Sequence, residues 1–228
     1  MRRSSTLKTL RLKGAEKLII PIAALLGFVY LFQWYITGNL HKRPEPIFQV
    51  RQPPLVMKGG NPHIRALMRT ISASEASSKR PYSILYGGKH VQDLSRHPEI
   101  CVTIVNGPNK GNCSTAAGRY QLINTTWYQI APKYHPQPMK LMFWTSYSFE
   151  ARYQDQVVYR WLKDSRVWRA DINQLLRQGK LKKVLQLLSP TWTSLGYGIE
   201  TNSISSSLPR IYQKMLREEL KNTKKQIP

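Results

Sequence analysis

The chain has 228 residues, 41% hydrophobic and 21% charged, which suits one globular domain carrying an appendage. Its 35 basic residues against 12 acidic ones give a net charge of +23, so its partners are expected to be anionic. The positive residues are spread over the whole length, which argues against a nucleic-acid footprint and for an anionic cell-wall polymer or a membrane surface.

Residues 1–17 form a basic tail with Arg2, Arg3, Lys8, Arg11, Lys13 and Lys17, followed by nineteen uncharged residues, 18–36. At ~1.5 Å per residue that stretch reaches about 29 Å, the thickness of a bilayer's hydrocarbon core. Trp34 and Tyr35 stand at its end like interfacial anchors, and Ile36-Thr37-Gly38 is only a passable cleavage site, so an uncleaved anchor is favoured over a signal peptide. Six cations precede the span and only Lys42 and Arg43 follow it closely. The bias places the N-terminus in the cytoplasm of a single-pass inner-membrane protein, with everything beyond residue 38 periplasmic, or secreted if the span is cleaved. Residues 37–60, with Pro44, Pro46, Pro53, Pro54 and a closing Gly59-Gly60, read as an extended linker.

A globular domain is expected over residues 61–222, with a basic tail at 223–228. Asn61 as N-cap and Pro62 at the first helical position start an amphipathic helix whose apolar residues Ile64, Leu67, Met68 and Ile71 share a face. It closes on Ser72-Ala73-Ser74-Glu75-Ala76. A carboxylate at a helix C-terminus opposes the helix dipole, so a merely solvated Glu75 lacks an obvious benefit. Short β-type runs follow at 82–86, before Gly87-Gly88, and at 100–105. Cys101 and Cys113 flank the turn signal Asn106-Gly107-Pro108-Asn109-Lys110-Gly111. In an extracytoplasmic compartment the pair suits a disulfide worth ~3 kcal/mol by loop closure. Unlinked buried thiols are the alternative, and with no histidines in a ligand pattern nearby no metal site is expected.

The helical pattern returns after Thr115 through Leu122, Trp127 and Ile130 to a break at Pro132. Further helices are expected at 148–164, with Phe149, Tyr153, Val157 and Trp161 on one side, at 171–178, at 181–188, and through Leu208, Ile211, Met215 and Leu216. Aromatic residues at helical spacing read as core, not as sugar platforms.

The chain resembles the lysozyme-like lytic transglycosylases of the phage lambda endolysin family. The resemblance rests on Ser74-Glu75, Tyr82 with Gly87-Gly88, Asp93, Ser95, His97-Pro98, and most of all Ala117-Gly118-Arg119-Tyr120-Gln121-Leu122. Weaker matches follow at Gln154-Asp155, Trp192, Ser194-Leu195 and Gly196-Tyr197-Gly198, so that about residues 62–218 are covered in order. Arg96 and Ile199-Glu200 depart from the family pattern, and nothing in it accounts for residues 1–60. The resemblance implies an α+β, lysozyme-like fold, mostly helical with a small β lobe and a substrate cleft between. It also implies cleavage of peptidoglycan glycan strands by a monomer needing no cofactor.

Glu75 matches the family's catalytic glutamate. Breaking the bond between N-acetylmuramic acid and N-acetylglucosamine needs a proton on the leaving oxygen, which a carboxyl supplies. In a lytic transglycosylase the same group then takes the proton of the muramic C6 hydroxyl and a 1,6-anhydro ring closes. By the same match Tyr120 and Gln121 are expected to line the cleft and Tyr197 to orient Glu75 or the sugar, a core tyrosine beside glycines being the alternative; Arg119 is either a cleft residue or a brace of the lobe by a salt bridge. Asp93 is either a turn-forming residue that bonds its own backbone near Ser95, a substrate contact, or the second carboxylate of a hydrolytic lysozyme. A wall-binding scaffold without turnover is the remaining alternative.

Overall fold

The computed structural model describes Gln33, residues 52–197 and residues 204–224. The chain forms two compact units, Met1–Gln49 and Val50–Pro228, and the fold below is that of the second. Among the described residues no helix is long and apolar enough to cross a membrane. The basic tail, the span expected at 18–36 (Gln33 apart) and most of the linker lie outside the described residues.

Helix α1 (Pro62–Glu75) is the spine of the domain. Asn61 caps it as the sequence requires, its Oδ1 accepting from His63 N at 2.9 Å and Ile64 N at 3.3 Å. Ile64, Leu67, Met68 and Ile71 are fully buried. They pack mainly against the last helix, α7 (Leu208–Lys224), which presents Leu208, Ile211, Tyr212 and Met215. Arg65 and Arg69, one turn apart on α1, meet Glu218 and Glu219 of α7: Arg65 to Glu219 at 2.5 Å, Arg69 to Glu218 at 2.6 Å and to Glu219 at 3.1 Å. Arg69 and Glu219 are buried, so each satisfies a charge the other would otherwise leave stranded.

The β part is small. Strands β1 (Val102–Thr103) and β2 (Cys113–Ser114) pair antiparallel, Val102 opposite Ser114 and Thr103 opposite Cys113. The Cys101–Cys113 disulfide forms at the root of this hairpin, with Cα atoms 5.4 Å apart. The run 82–86 is not a strand. Pro81–Ser83 and Tyr86–Gly88 are single 3-10 turns, joined by isolated bridges from Ile84 to His90 and from Leu85 to Ala117. Pro81 at one end and two glycines with positive φ at the other leave no length for a ladder.

Helix α2 (Asn124–Tyr134) starts later and ends later than its sequence pattern suggests. Residues 117–122 instead make a tight bridged turn, and Pro132 is tolerated because it sits exposed in the final turn. A second hairpin, β3 (Met139–Leu141) with β4 (Trp144–Ser146), carries no turn signature and was not foreseen. Helices α3 (Ala151–Lys163), α4 (Ser165–Trp168), α5 (Ile172–Arg177) and α6 (Leu181–Leu188) complete the helical bulk. Asp171 caps α5 through Gln174 N at 2.9 Å. Phe149, Tyr153, Val157 and Trp161 are all buried, as core residues should be.

Residues 52–60, assigned by their prolines to the linker, are packed on the domain. Gln52, Leu55 and Met57 are buried. Their backbone is gripped by side chains far along the chain: Arg69 donates to Gln52 O at 3.1 Å, and Arg119 to Pro53 O at 2.6 Å and Pro54 O at 3.1 Å. Asp155 accepts from Val56 N at 2.7 Å and Met57 N at 3.1 Å. Proline suits such a strap, because a segment held by side chains has no ladder for its missing N–H to interrupt.

An aromatic cluster joins α2 to α3. His97 and Trp127 meet the Phe149 ring with centroids 4.7 and 4.8 Å away, and His135 lies 4.4 Å from Tyr153. Each histidine is held the same way. Nε2 donates to a carbonyl (Leu122 O at 2.8 Å; Ser148 O at 3.1 Å) while Nδ1 accepts a backbone N–H (Glu99 at 3.2 Å; Gln137 at 3.2 Å). Both are therefore neutral, and burial lowers both pKa values from the ordinary histidine value. With folded-state pKa values below 6.5, the unfolded chain binds the extra protons first. Stability should be fully present above about pH 6.5 and be lost as the pH falls through the lowered values. His97→Gln and His135→Gln keep the donor without titrating, and thermal melts of each between pH 7 and pH 5 should show a shallower decline than the native chain. Equal slopes would show that these histidines do not carry the effect.

Candidate active site

Glu75 is the last residue of α1 and is half buried, between the buried Ala73 and Ala76. The last turn of α1 is clasped by the strap: Ser72 Oγ donates to Gln52 Oε1 at 2.8 Å, and Gln52 Nε2 donates to Ala76 O at 3.3 Å. A carboxylate at this end of a helix lacks help from the dipole. Ser194 supplies a partner, its hydroxyl donating to Glu75 Oε1. Ser194 itself is buried in a 3-10 turn, Thr193–Leu195, that packs against α1.

That turn is fixed from both sides. Trp192 is buried and its Nε1 donates to Tyr120 O at 2.9 Å, tying the turn to the 117–122 segment. Gly196 closes the turn with φ +92°, and a Cβ there would lie 2.6 Å from Ser205 Cβ, so only glycine allows the approach to Ser205, just before α7. Ser205 in turn donates to Ser194 O at 3.0 Å. The carboxyl end of Glu75 is thus set by contacts that begin on α1, the 3-10 turn and the lead-in to α7.

A second set of contacts is a buried polar cluster centred on Asp155 of α3. Asp155 Oδ1 accepts from Tyr120 OH at 2.6 Å, and Oδ2 accepts from Tyr82 OH at 2.8 Å in addition to the two strap amides. Burial pushes the Asp155 carboxyl up, opposed by the Arg119 charge and by these donors. Arg119 is fully buried and also donates to Tyr82 OH at 2.9 Å, with its guanidinium 5.0 Å over the Tyr82 ring. Gln154 completes the arrangement: Oε1 accepts from Arg119 N at 2.9 Å, and Nε2 donates to Tyr82 O at 2.9 Å and Phe149 O at 2.8 Å. Gly118, at φ +73°, leaves room for it, since a Cβ would stand 2.3 Å from Gln154 Oε1.

Of the residues expected at the cleft, Tyr120 and Gln121 spend their polar groups on the fold. Tyr120 is fully buried with its hydroxyl on Asp155, so it belongs to the framework. Gln121 is half buried and takes φ +44° in the 118–121 turn. Its amide hydrogens go to Gly118 O at 3.0 Å and Ile84 O at 3.3 Å, so they serve the fold. Arg119 braces the lobe through carbonyls and a hydroxyl in place of a salt bridge. Tyr197 is exposed, three residues past Ser194. Asp93 is exposed and its Oδ1 accepts from Ser95 N at 2.8 Å, the turn-forming arrangement. The Ser95 hydrogen bonds, with Arg96 nearby, hold its carboxyl below the usual range. Among the described residues no group of three His, Cys, Asp or Glu could hold a metal. Ser194 is the residue that sequence reasoning missed: the sole hint was its place in the weak 192–198 match, and its carboxylate partner is 119 positions away.

Comparison with known proteins follows the same outline. A family model described as Endolysin matches residues 65–217. Among solved structures, the lysozyme of bacteriophage lambda complexed with a chitohexasaccharide aligns with a TM-score of 0.51 at 23% identity, covering 70% of this chain and 97% of that one. A second structure of lysozyme from bacteriophage lambda gives a TM-score of 0.51 at 21% identity, with the same coverage. The fold of residues in the second unit is thereby that of the lambda lysozyme, mostly helical with a small β part. The comparison with curated proteins finds no match.

Proposed function

The chain belongs to the Endolysin family, and on that premise we propose that it cleaves the MurNAc–GlcNAc bond of peptidoglycan with Glu75 as sole acid and base. The lambda lysozyme was captured with an oligomer of N-acetylglucosamine, which supports a glycan strand as the substrate class. Protonated Glu75 gives its proton to the bridging oxygen as the C1–O bond breaks. The resulting carboxylate removes the proton of the muramic C6 hydroxyl, O6 attacks C1, and a 1,6-anhydro ring closes. Glu75 ends protonated again, and no water is consumed. Ser194, donating to Oε1, holds the carboxyl in one orientation through both transfers.

The observation that favours one carboxylate over two is the occupation of the others. Glu99 accepts from Tyr128 OH at 2.5 Å, Glu150 pairs with Arg152, Asp164 with Arg166, and Asp171 caps α5. Glu218 and Glu219 hold α1 to α7, Asp155 is buried, and Asp93 closes its own turn. Each described carboxylate other than Glu75 is thus partnered elsewhere or buried, and Glu200 lies outside the described residues. A two-carboxylate hydrolase needs a second one aimed at the sugar.

Glu75→Gln should lower glycan-strand cleavage by ~10³-fold or more, because one residue serves both proton transfers, while the thermal midpoint moves little. Ser194→Ala should lose about tenfold, as for one charge-assisted hydrogen bond, and Asp93→Asn should stay near the native rate. Near-native cleavage by Glu75→Gln, or collapse in Asp93→Asn, would overturn the assignment.

The span 18–36 would then tether the enzyme to the inner membrane with its catalytic domain in the periplasm. That topology supports local opening or remodelling of the wall. When the chain is expressed in a Gram-negative envelope, alkaline carbonate should leave it in the membrane fraction and detergent should release it. Release by carbonate alone would refute the anchor.

A further inference from the structure

The β3–β4 hairpin is the most apolar exposed feature of the described residues. Met139 is 70% exposed, Met142 87%, Phe143 94% and Trp144 78%. The two strands pair only with each other, Met139 opposite Ser146 and Leu141 opposite Trp144, around a two-residue turn of Met142 and Phe143. Met142 takes φ +51° there. Hairpin turns reserve such positions for glycine or asparagine, so methionine is locally unfavourable and helps neither the turn nor the core. Both tip side chains are nearly free of protein neighbours, and a sulfur, a phenyl ring and an indole in sequence suit the hydrocarbon edge of a bilayer, where aromatic residues settle.

The charge at the hairpin fits an anionic surface. Lys140 is exposed on the strand position opposite Thr145, two residues before the tip. From residue 100 to residue 149 the chain has no aspartate or glutamate at all. A sugar platform would set its aromatic ring against a wall of polar groups that bond the hydroxyls; Phe143, at 94% exposure, has no such wall.

We propose that the hairpin is a membrane-docking finger: Met142, Phe143 and Trp144 enter the headgroup and acyl boundary of an anionic lipid leaflet while Lys140 pairs with its phosphates. Insertion to a depth of about 5–10 Å, as for interfacial apolar faces, suffices to cover these side chains. The catalytic domain would then meet its wall substrate from the lipid side in a fixed orientation. This inference stands apart from the role of Glu75 and from the anchor at 18–36, since neither sets what the hairpin touches.

The test uses the full chain with Phe143→Cys carrying an environment-sensitive fluorophore, the native cysteines remaining in their disulfide. Lys182→Cys, exposed on α6, is the control. Each is mixed with vesicles of phosphatidylglycerol and phosphatidylcholine bearing brominated acyl chains. The label at 143 should be quenched several-fold more than the label at 182, and that difference should shrink in pure phosphatidylcholine and in Lys140→Glu. Equal quenching at both positions, or none at 143, would overturn the proposal. So would shielding of the 143 label only by soluble glycan strands, which would make it a sugar contact. Shielding that grows with protein concentration without lipid would make it a contact between two copies, and would equally overturn it.

Discussion

One buried carboxylate, Asp155, decides how the parts of this domain meet. It draws two backbone amides of the strap, the Tyr82 hydroxyl and the Tyr120 hydroxyl onto a single helix position of α3. Such a group costs several kcal/mol to bury alone, and once buried it makes each of its donors depend on it, because a donor without its acceptor is stranded away from water. Arg119 supplies the countercharge and spends its own hydrogens on Pro53 O, Pro54 O and Tyr82 OH. The network therefore couples the small lobe, the helical bulk and the strap alongside the apolar core that all three share.

From there the constraint reaches the chemistry by two short routes. Along the strap, Gln52 closes on Ser72 and Ala76, the residues flanking Glu75 at the end of α1, and Arg69 ties the same strap to α7 through Glu218 and Glu219. Along the 117–122 turn, Tyr120 O receives the Trp192 indole, which leads directly into the turn that carries Ser194. Both ends of the Glu75–Ser194 pair are thus held by the same buried cluster. An acid that must give and then recover a proton gains from being held in this way, because its orientation is set before substrate arrives.

Much of this was legible from local pattern and much was not, and the division has a physical basis. Helix α1, its Asn61 cap and its terminal Glu75 follow from a 3.6-residue period and capping chemistry confined to a fourteen-residue helix and the residue before it. The Cys101–Cys113 pair and the buried aromatic faces of α3 are equally local. The strap was misread because prolines describe a backbone preference, whereas what holds residues 56 and 57 is an aspartate 99 and 98 positions away. Tyr120 was expected at the sugar because motif position says nothing about which way a ring turns, and a buried Asp155 turned it inward. The β3–β4 hairpin escaped because its turn is Met-Phe where glycine or asparagine would announce a reversal. Its unusual residues make sense only once their exposure is known.

The central claim is that one carboxyl, Glu75, performs the whole cleavage with the substrate's own C6 hydroxyl as nucleophile. Digesting purified peptidoglycan in 18O-water and weighing the released muramic ends tests it most directly. The account requires 1,6-anhydro ends, lighter by one water than hydrolysed ends, free of the heavy oxygen and silent in a reducing-sugar assay. Muramic ends that carry the heavy oxygen and reduce would contradict it, because water activated by a second group would then be the nucleophile.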